Sequence, residues 1–305
     1  MHSSLSRLLS VISLLLALAL SVGCAQPAQK TSPAEPLVDD AGRTVILKGS
    51  PSRIVSLAPS NTELLYALGL GDRVVGVTSY DDYPPEVKDK PKIGGFADVD
   101  AERVVALSPD LVVAGNIHVA KVVPALEKLG LAVVVIDPKT VDDIGARLTM
   151  LGRLTGKEQE AQEAKAKLDQ RLAATAAKVK AAGRWPRVFW MIGDGLFTAG
   201  PGSFIDDLIA KAGGTNIAAD AKTQWPELSM EAVLKADPEV IVIPGPDGPA
   251  LAGKLKADPT WQQVSAVKAG RFVLIPDQNL VSRPGPRIVD GLDALARELH
   301  PEQYR

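Results

Sequence analysis

The sequence predicts an α/β protein built from two related lobes that one long, rigid helix joins. Short apolar runs alternate with helical patterns, as in units whose strands form a parallel-type sheet flanked by helices. A long helical stretch without Pro or Gly lies near the middle of the chain. The segments on its two sides repeat each other, and two copies of this length favour two related lobes over a repeat array.

The central stretch, residues 157–180, has the periodicity of an amphipathic helix. Glu163 and Lys167 form an i,i+4 pair on its more polar side. At 1.5 Å per residue this helix would reach roughly 35 Å, about the width of a small domain. We therefore expect a stiff connector. The apolar residues that recur at three- and four-residue intervals are Ala161, Ala164, Leu168, Leu172, Ala176 and Val179.

The internal repeat is clearest between residues 101–114 and 230–243. Each copy has a Glu, a short apolar helical pattern, a break with Pro and an acid, and then a β-branched strand. Glu102 and Glu231 therefore occupy equivalent places. The preceding stretches repeat more weakly, since Arg53 and Arg187 each begin a short apolar run that leads through a loop into a helix.

These patterns divide the chain into five parts. We assign a signal peptide to 1–23, a lipidated cysteine with a flexible tether to 24–36, the N-terminal lobe to 37–155, the connecting helix to 156–183 and the C-terminal lobe to 184–305.

The N-terminal segment has the features of a secretory leader. Arg7 precedes the uncharged run 11–22, which is too short to span a bilayer and has the length of a signal-peptide core. The run leads to Cys24, the only cysteine. This placement resembles a bacterial lipobox, in which the cysteine is acylated, although Ser21 stands where Leu is usual. The alternative is a free thiol in the leader. The following residues, rich in Pro, Ala, Gln and Ser, indicate a flexible tether.

Each lobe follows the same order of strand, loop and helix. In the first, Ser60-Asn-Thr-Glu63 fits a capping box and predicts the start of a helix, and the double proline at Pro84 and Pro85 excludes a helix or central strand there. The predicted strands are 54–57, 74–77, 133–136, 188–191, 240–243 and 272–275, and the later helices include 119–129, 141–154, 204–212 and 288–299.

Composition excludes several classes of protein. With 46% hydrophobic and 23% charged residues the chain is typical of a soluble globular protein, and a net charge of −2 does not favour a nucleic-acid partner. Beyond the leader it has only two histidines, His118 and His300, and no cysteine, so neither a His-rich metal cage nor a cysteine nucleophile is expected. A nucleotide-binding enzyme is the alternative of another class, but Gly200-Pro-Gly202 lacks the third glycine of a dinucleotide fingerprint.

Four motifs taken together resemble a known family. They are 53–63 (RIVSLAPSNTE), 80–85 (YDDYPP), 102–110 (ERVVALSPD) and 282–287 (SRPGPR). The set resembles the substrate-binding proteins of bacterial ABC importers for cobalamin and iron chelates, and the resemblance covers residues 37–300. It implies two α/β lobes joined by a long helix, with the ligand held in a cleft between the lobes.

The resemblance also implies a function and partners. We expect a non-enzymatic binding protein, monomeric and anchored outside the cytoplasm, in the periplasm or at the cell surface, which delivers its ligand to an ABC permease and its ATPase. The ligand is expected to be cobalamin or a related corrinoid, and the alternative is a ferric siderophore or haem. No cofactor and no metal site are expected.

In this family an acidic residue on each lobe meets arginines of the permease, and Glu102 and Glu231 are the matching positions. Charge pairs at a rim steer docking and fix orientation. The structural alternative is that each glutamate merely lies in the first turn of a helix, where the macrodipole favours a carboxylate by about 0.3–1 kcal/mol.

Nine residues match places where cobalamin-binding members touch their ligand. The chain departs from those members at Leu280 and Val281, where they have tryptophan and phenylalanine, and at Phe96, which replaces tryptophan. Simple loop packing is the alternative role for the aromatic residues. Arg283 could hold an anionic group or organise its loop, whereas Arg287, at a helix start, favours a structural role. The nine residues are Tyr80, Phe96, Phe197, Trp225, Asn279, Leu280, Val281, Ser282 and Arg283.

Overall fold

The structure, a computed structural model, describes residues 37–47 and 49–305 of the chain. The predicted signal peptide, Cys24 and the tether lie outside the described residues. Within the described ranges, no helix combines the length and the apolar character needed to cross a bilayer.

The first lobe is a four-stranded parallel sheet with helices on its faces. The strand order is β4-β3-β5-β6, and an antiparallel hairpin of β1 and β2 precedes the sheet. The strands are β1 (Leu37–Val38), β2 (Thr44–Val45), β3 (Ile54–Ser56), β4 (Val74–Gly76), β5 (Leu111–Ala114) and β6 (Val133–Val135), and the helices are α1 (Pro59–Ala67), α2 (Ala101–Ala106), α3 (Val122–Lys128) and α4 (Asp143–Thr155).

The second lobe repeats this plan with strand order β10-β9-β7-β8, again all parallel. The connecting helix α5 (Glu158–Ala182) lies between the two lobes in sequence. The strands are β7 (Arg187–Trp190), β8 (Thr215–Asn216), β9 (Val240–Pro244) and β10 (Phe272–Ile275), and the helices are α6 (Phe204–Lys211), α7 (Met230–Ala236), α8 (Gly248–Ala257), α9 (Ser265–Lys268), α10 (Asn279–Ser282) and α11 (Ile288–Leu299). The predicted fold class is confirmed.

Alternating side chains on each strand enter different hydrophobic clusters, because successive residues of a strand point to opposite faces. Ile54 belongs to a central cluster, whereas Val55 belongs to a cluster on the outer face of the first sheet. Val188 and Phe189 divide in the same way in the second lobe. The central cluster continues from the first lobe through α5 into the second lobe. The lobes therefore share one apolar core beneath their sheets.

Helix α5 contributes one face to this core. Ala161, Leu168, Thr175 and Val179 are buried, and most of the remaining residues are partly or fully exposed. The helix begins after Gly156 and ends at Gly183, both in the left-handed conformation that glycine adopts without strain. The connecting helix is therefore not surrounded by solvent, since one of its faces packs along both lobes.

The capping box predicted at Ser60 is wrong. Helix α1 begins one residue earlier, at Pro59, its N-cap is Ala58, and no side chain caps it. Proline at the first helical position already lacks the N–H that a cap would satisfy, and it keeps the preceding residue extended. Glu63 turns away from the helix start and binds Arg287 of the second lobe.

The internal repeat has a physical basis in an arginine clamp that occurs once in each lobe. In the first lobe, Arg53 donates through Nη2 to the carbonyl oxygen of Leu107 at 2.6 Å and through Nε to that of Ser108 at 3.1 Å. Its own N–H donates to Asp110 at 2.9 Å. The clamp satisfies carbonyl groups that the end of α2 leaves without intrahelical partners.

The second lobe reproduces the same contacts. Arg187 donates through Nε to the carbonyl oxygens of Ala236 and Asp237, both at 3.0 Å, and its N–H donates to Glu239 at 3.1 Å. The helix-ending residues Ser108 and Asp237 both have positive φ, 46° and 43°. The repeat seen in the sequence therefore corresponds to one set of contacts between a helix end and a strand start, which occurs in both lobes.

These two residues should respond differently to glycine. We expect Ser108→Gly to leave the free energy of unfolding unchanged or raise it by up to about 1 kcal/mol, because glycine adopts positive φ without the steric penalty. Asp237→Gly should lower it by about 1–2 kcal/mol, because Asp237 also accepts from the N–H and hydroxyl of Ser265 at 2.8 and 2.7 Å. Urea unfolding of both variants measures the difference, and equal effects would contradict the assignment.

Candidate ligand-binding site

A cavity of about 910 Å³ opens between the two lobes. Much of its first-lobe wall comes from residues that directly follow strands: Ala58–Ser60 after β3, Gly115–Ile117 after β5 and Ile136–Lys139 after β6. Since the strands are parallel, their carboxyl ends meet at one edge of the sheet, which is where ligands bind in open α/β sheets. The position of the cavity thus follows from the topology.

The second lobe supplies the opposite wall. It consists of residues 202–205 at the start of α6, Gln224 and Trp225 in the loop before α7, and residues 282–284 after α10. Ser203 caps α6 by accepting from the N–H of Asp206 at 3.2 Å, so this part of the wall is fixed by the helix start.

Three of the four predicted aromatic residues line the cavity. Tyr80, Phe96 and Trp225 contribute to its surface, and Tyr80 and Trp225 remain 61% and 54% exposed. Aromatic rings that stay exposed on facing walls provide large rigid contact surfaces for a planar guest. Ser282 and Arg283 also line the cavity.

The remaining predicted residues lie elsewhere. Phe197 is exposed outside the cavity lining and pairs with Glu227 in an isolated bridge. Val281 is fully buried in the central cluster and does not contribute to the cavity lining. Leu280 lies against α11, where a Cβ at Gly291 would come within 2.1 Å of its carbonyl oxygen. Asn279 donates to Asp82 at 3.0 Å instead of facing the cavity.

Sequence analysis missed several apolar wall residues. Ile117, Ile136 and Pro138 follow strands of the first lobe, and Phe204 and Ile205 begin α6. The signal that could have found the first three is their place at the end of a predicted strand or just beyond it, because those ends converge at the cleft.

The positive charges that line the cavity are already paired with carboxylates. Among the described residues, its cations are Lys139 and Arg283. Lys139 forms an ion pair with Asp137, and Arg283 Nη1 lies 2.5 Å from Asp82 Oδ1. Asp98 also contributes a carboxyl group to the wall. The cavity therefore offers an anionic guest no cation that is free of a carboxylate partner.

His118 supports the aromatic wall from behind. Its Nδ1 accepts from the N–H of Gly115 at 2.9 Å, so its proton lies on Nε2, which donates to the carbonyl oxygen of Phe96 at 2.7 Å. The Phe96 and His118 rings meet edge to face, with centroids 5.5 Å apart. Burial lowers the pKa of His118, which favours this neutral form. His118 thus joins two loops that both line the cavity.

A buried ion pair crosses between the lobes beside the cavity. Glu63 of α1 accepts two hydrogen bonds from Arg287, at 2.7 and 3.0 Å. Burial raises the pKa of Glu63 in spite of Arg287. A second buried carboxyl group of the first lobe belongs to Asp81. Burial likewise raises its pKa, and it accepts hydrogen bonds from the N–H and the hydroxyl of Thr78.

Glu102 and Glu231 lie at equivalent places on the two lobes. Each is exposed in the first turn of its helix, α2 or α7, and the N-caps are Asp100 and Ser229. Because the helix of a βαβ unit runs antiparallel to its strands, both helix starts lie toward the sheet edge that forms the cleft. Within the described residues, no group of three or more His, Cys, Asp or Glu side chains is placed to hold a metal ion.

Comparisons with known proteins agree with this architecture. The chain is 34% identical to an uncharacterized ABC transporter substrate-binding lipoprotein, YvrC, of Bacillus subtilis, over 96% of this chain and 97% of that protein. The crystal structure of the vitamin B12 binding protein BtuF of Vibrio cholerae matches with a TM-score of 0.74 and 28% identity, covering 84% of this chain and 99% of that one. The heme-binding protein RhuT of Roseiflexus has the same TM-score and identity, covering 84% and 100%.

The family described as periplasmic binding protein matches residues 54–279, which include both sheets and the connecting helix. With the two-lobed fold, the cleft at the carboxyl ends of both sheets and these relatives, the chain belongs to the periplasmic binding proteins, the extracytoplasmic solute-binding proteins of ABC importers.

Proposed function

We propose that this protein captures cobalamin or a related corrinoid in the cleft and delivers it to the permease of an ABC importer. The observation that carries the ligand assignment is the combination of exposed aromatic walls with cations that are already neutralised. Tyr80, Phe96 and Trp225 face a cavity of about 910 Å³, and Lys139 and Arg283 both have carboxylate partners.

The chemistry of the candidate ligands differs most in charge. Cobalamin carries neutral amide side chains around a large ring and a single phosphodiester, whereas haem carries two ionised propionates and many siderophores are anionic. The Arg283 side chain is 12% exposed and lies near two carboxylates, Asp82 at 2.5 Å and the buried Glu63 at 3.6 Å. Turning this arginine toward an anionic ligand would separate it from those partners, which is costly where the partner is buried. The internal pairing of Arg283 therefore favours the corrinoid.

Haem or a ferric siderophore remains the second candidate, because the similarity to RhuT equals the similarity to BtuF in both TM-score and identity. The overall fold does not separate these ligands, and the discrimination rests on the cavity wall. Leu280 and Val281, which replace aromatic residues of the cobalamin-binding members, do not line the cavity, so this departure does not count against a corrinoid.

The proposal includes a lipid anchor. Cys24 lies at the end of an apolar leader and before a Pro-, Ala-, Gln- and Ser-rich stretch, and the relative YvrC is named a lipoprotein. Acylation of Cys24 would hold the protein on the outer side of the cytoplasmic membrane, within reach of its permease. One acyl chain binds membranes only marginally and reversibly, so stable anchoring requires a second chain or a further attachment.

The ligand assignment is tested by titrating the purified protein with cyanocobalamin, haemin and a ferric siderophore by calorimetry. We expect cyanocobalamin to bind most tightly. Trp225→Ala should weaken it by about 10-fold or more, because burying one large aromatic face contributes at least about 1.5 kcal/mol.

Trp185→Ala is the matched control, since Trp185 is 52% exposed, similar to Trp225, but lies outside the cavity. Tighter binding of haemin or the siderophore would select the second candidate. Equal effects of the two tryptophan variants on the Kd would contradict ligand binding in the cleft.

We also propose that Glu102 and Glu231 dock the two lobes onto arginines of the permease. Support comes from their equivalent positions, their exposure and their location toward the cleft edge of each lobe. Two like charges on separate lobes give the permease two anchoring points, which fix orientation more than they add affinity.

The docking role predicts a separation of uptake from binding. Changing Glu102 and Glu231 together to Arg should abolish vitamin uptake in cells, because like charges would then face each other, while the Kd for cyanocobalamin stays unchanged. Glu163→Arg, on the exposed side of α5, is the control and should leave uptake intact. Loss of ligand binding in the double variant would contradict the assignment.

A further inference from the structure

The motif Arg283-Pro-Gly-Pro-Arg287 enters the proposed function only through the paired charge of Arg283, although the whole segment belongs to the second lobe and touches the first. We call residues 283–287 the strap. It leaves α10, crosses to the first lobe beside the cavity and returns at the start of α11.

The inner end of the strap is the ion pair of Arg287 with Glu63. The side chain of Glu63 is 2% exposed and that of Arg287 17%. The guanidinium also stacks on Tyr83 of the first lobe, 3.9 Å from the ring centroid. Such a planar, bidentate and stacked arrangement uses the geometry that distinguishes arginine from lysine.

The middle of the strap lies directly on helix α1. A Cβ added at Gly285 would come within 3.2 Å of Glu63 Oε2 and 3.4 Å of the carbonyl oxygen of Ser60. The contact with Glu63 Oε2 is tighter than most Cβ contacts, so a glycine at this position eases the close approach of the strap to the helix. Prolines on both sides restrict the backbone of the strap and limit its alternatives.

The outer end of the strap is Arg283, whose hydrogen bonds go to the first lobe. Its Nη1 donates to Asp82 Oδ1 at 2.5 Å and its Nη2 to the carbonyl oxygen of Tyr80 at 3.0 Å. Asn279 binds the other oxygen of Asp82 at 3.0 Å. The segment that carries the Tyr80 ring into the cavity is thus held from across the cleft.

We propose that Arg283 is a positioning residue, which fixes the Tyr80 wall of the cavity through the main chain and does not serve as the receptor for a charged group of the ligand. Both of its terminal nitrogens are engaged by the first lobe, and its side chain is 12% exposed. The role in ligand affinity rests on the proposed function, whereas the role in holding residues 78–83 does not.

Two variants and two ligands separate positioning from direct charge recognition. Cyanocobalamin contains a phosphodiester, and dicyanocobinamide has the same ring without it. If Arg283 positions Tyr80, Arg283→Gln and Asp82→Asn should each weaken the binding of both ligands by a similar factor, on the order of tenfold. In either variant the loop that carries Tyr80 is no longer held, so ligand binding must also supply the free energy that orders it.

Direct charge recognition gives a different pattern. Arg283→Gln would weaken cyanocobalamin selectively, and Asp82→Asn, which removes the nearer carboxylate partner of the guanidinium, would leave affinity unchanged or increase it. Either result would overturn the proposal. Arg171→Gln, which breaks an exposed ion pair with Asp290 outside the cavity, is the matched control and should change neither Kd.

Amide hydrogen exchange of the unliganded protein tests the positioning without any ligand. Peptides covering residues 78–83 should exchange faster in Arg283→Gln and in Asp82→Asn, and at the wild-type rate in Arg171→Gln. Asp82 is 51% exposed, so its variant preserves the test if Arg283→Gln folds poorly. Unchanged exchange in Asp82→Asn would refute the positioning role of Arg283. If the wild type binds neither corrinoid but residues 78–83 exchange faster in the variants, only the proposed ligand is refuted.

Discussion

The buried ion pair between Glu63 and Arg287 joins the two lobes, and the shape of the cleft depends on it. Removing both charges from water costs several kcal/mol per ion, which the bidentate geometry roughly offsets, so the pair adds little net stability. Breaking it by removal of one partner costs about 3–5 kcal/mol. An interaction with this asymmetry selects one orientation of the lobes and penalises departures from it. The hydrogen bond from Val141 to Asp207 and the ion pair of Asp142 with Lys211 add further contacts between the lobes.

This constraint bears on how the cleft binds. The lobes share a continuous apolar core, α5 packs along both, and polar contacts cross beside the cavity. Large hinge closure would have to break several of these interactions together, so small displacements are expected. A cleft that is held near its binding shape avoids much of the ordering cost of association. Rigid aromatic walls, with both lining cations already held by carboxylates, then suit a bulky ring system with amide side chains.

Several site features were predictable from the sequence because they depend on local order along the chain. Tyr80 and Trp225 were identified as aromatic residues in loops, at places that match the ligand contacts of the family, and both line the cavity. Glu102 and Glu231 were identified from the repeat, and each lies in an exposed first turn. Phe197, Asn279 and Val281 show the limit of this reasoning. A residue adjacent in sequence to wall residues can face the core or a neighbouring loop, because the direction of its side chain depends on packing.

By itself the sequence determined the alternation of strands and helices, the long connector and the twofold repeat, since periodicity and the Pro-acid breaks act over a few residues. The arginine clamps at Arg53 and Arg187 explain why that repeat is visible. Only the tertiary structure decided which partners the buried polar side chains bind. Glu63 fits a capping box in sequence, yet it pairs with an arginine 224 positions away. The reason is physical: a carboxylate that folding buries requires a charged partner, and which partner reaches it is fixed by how the two lobes meet.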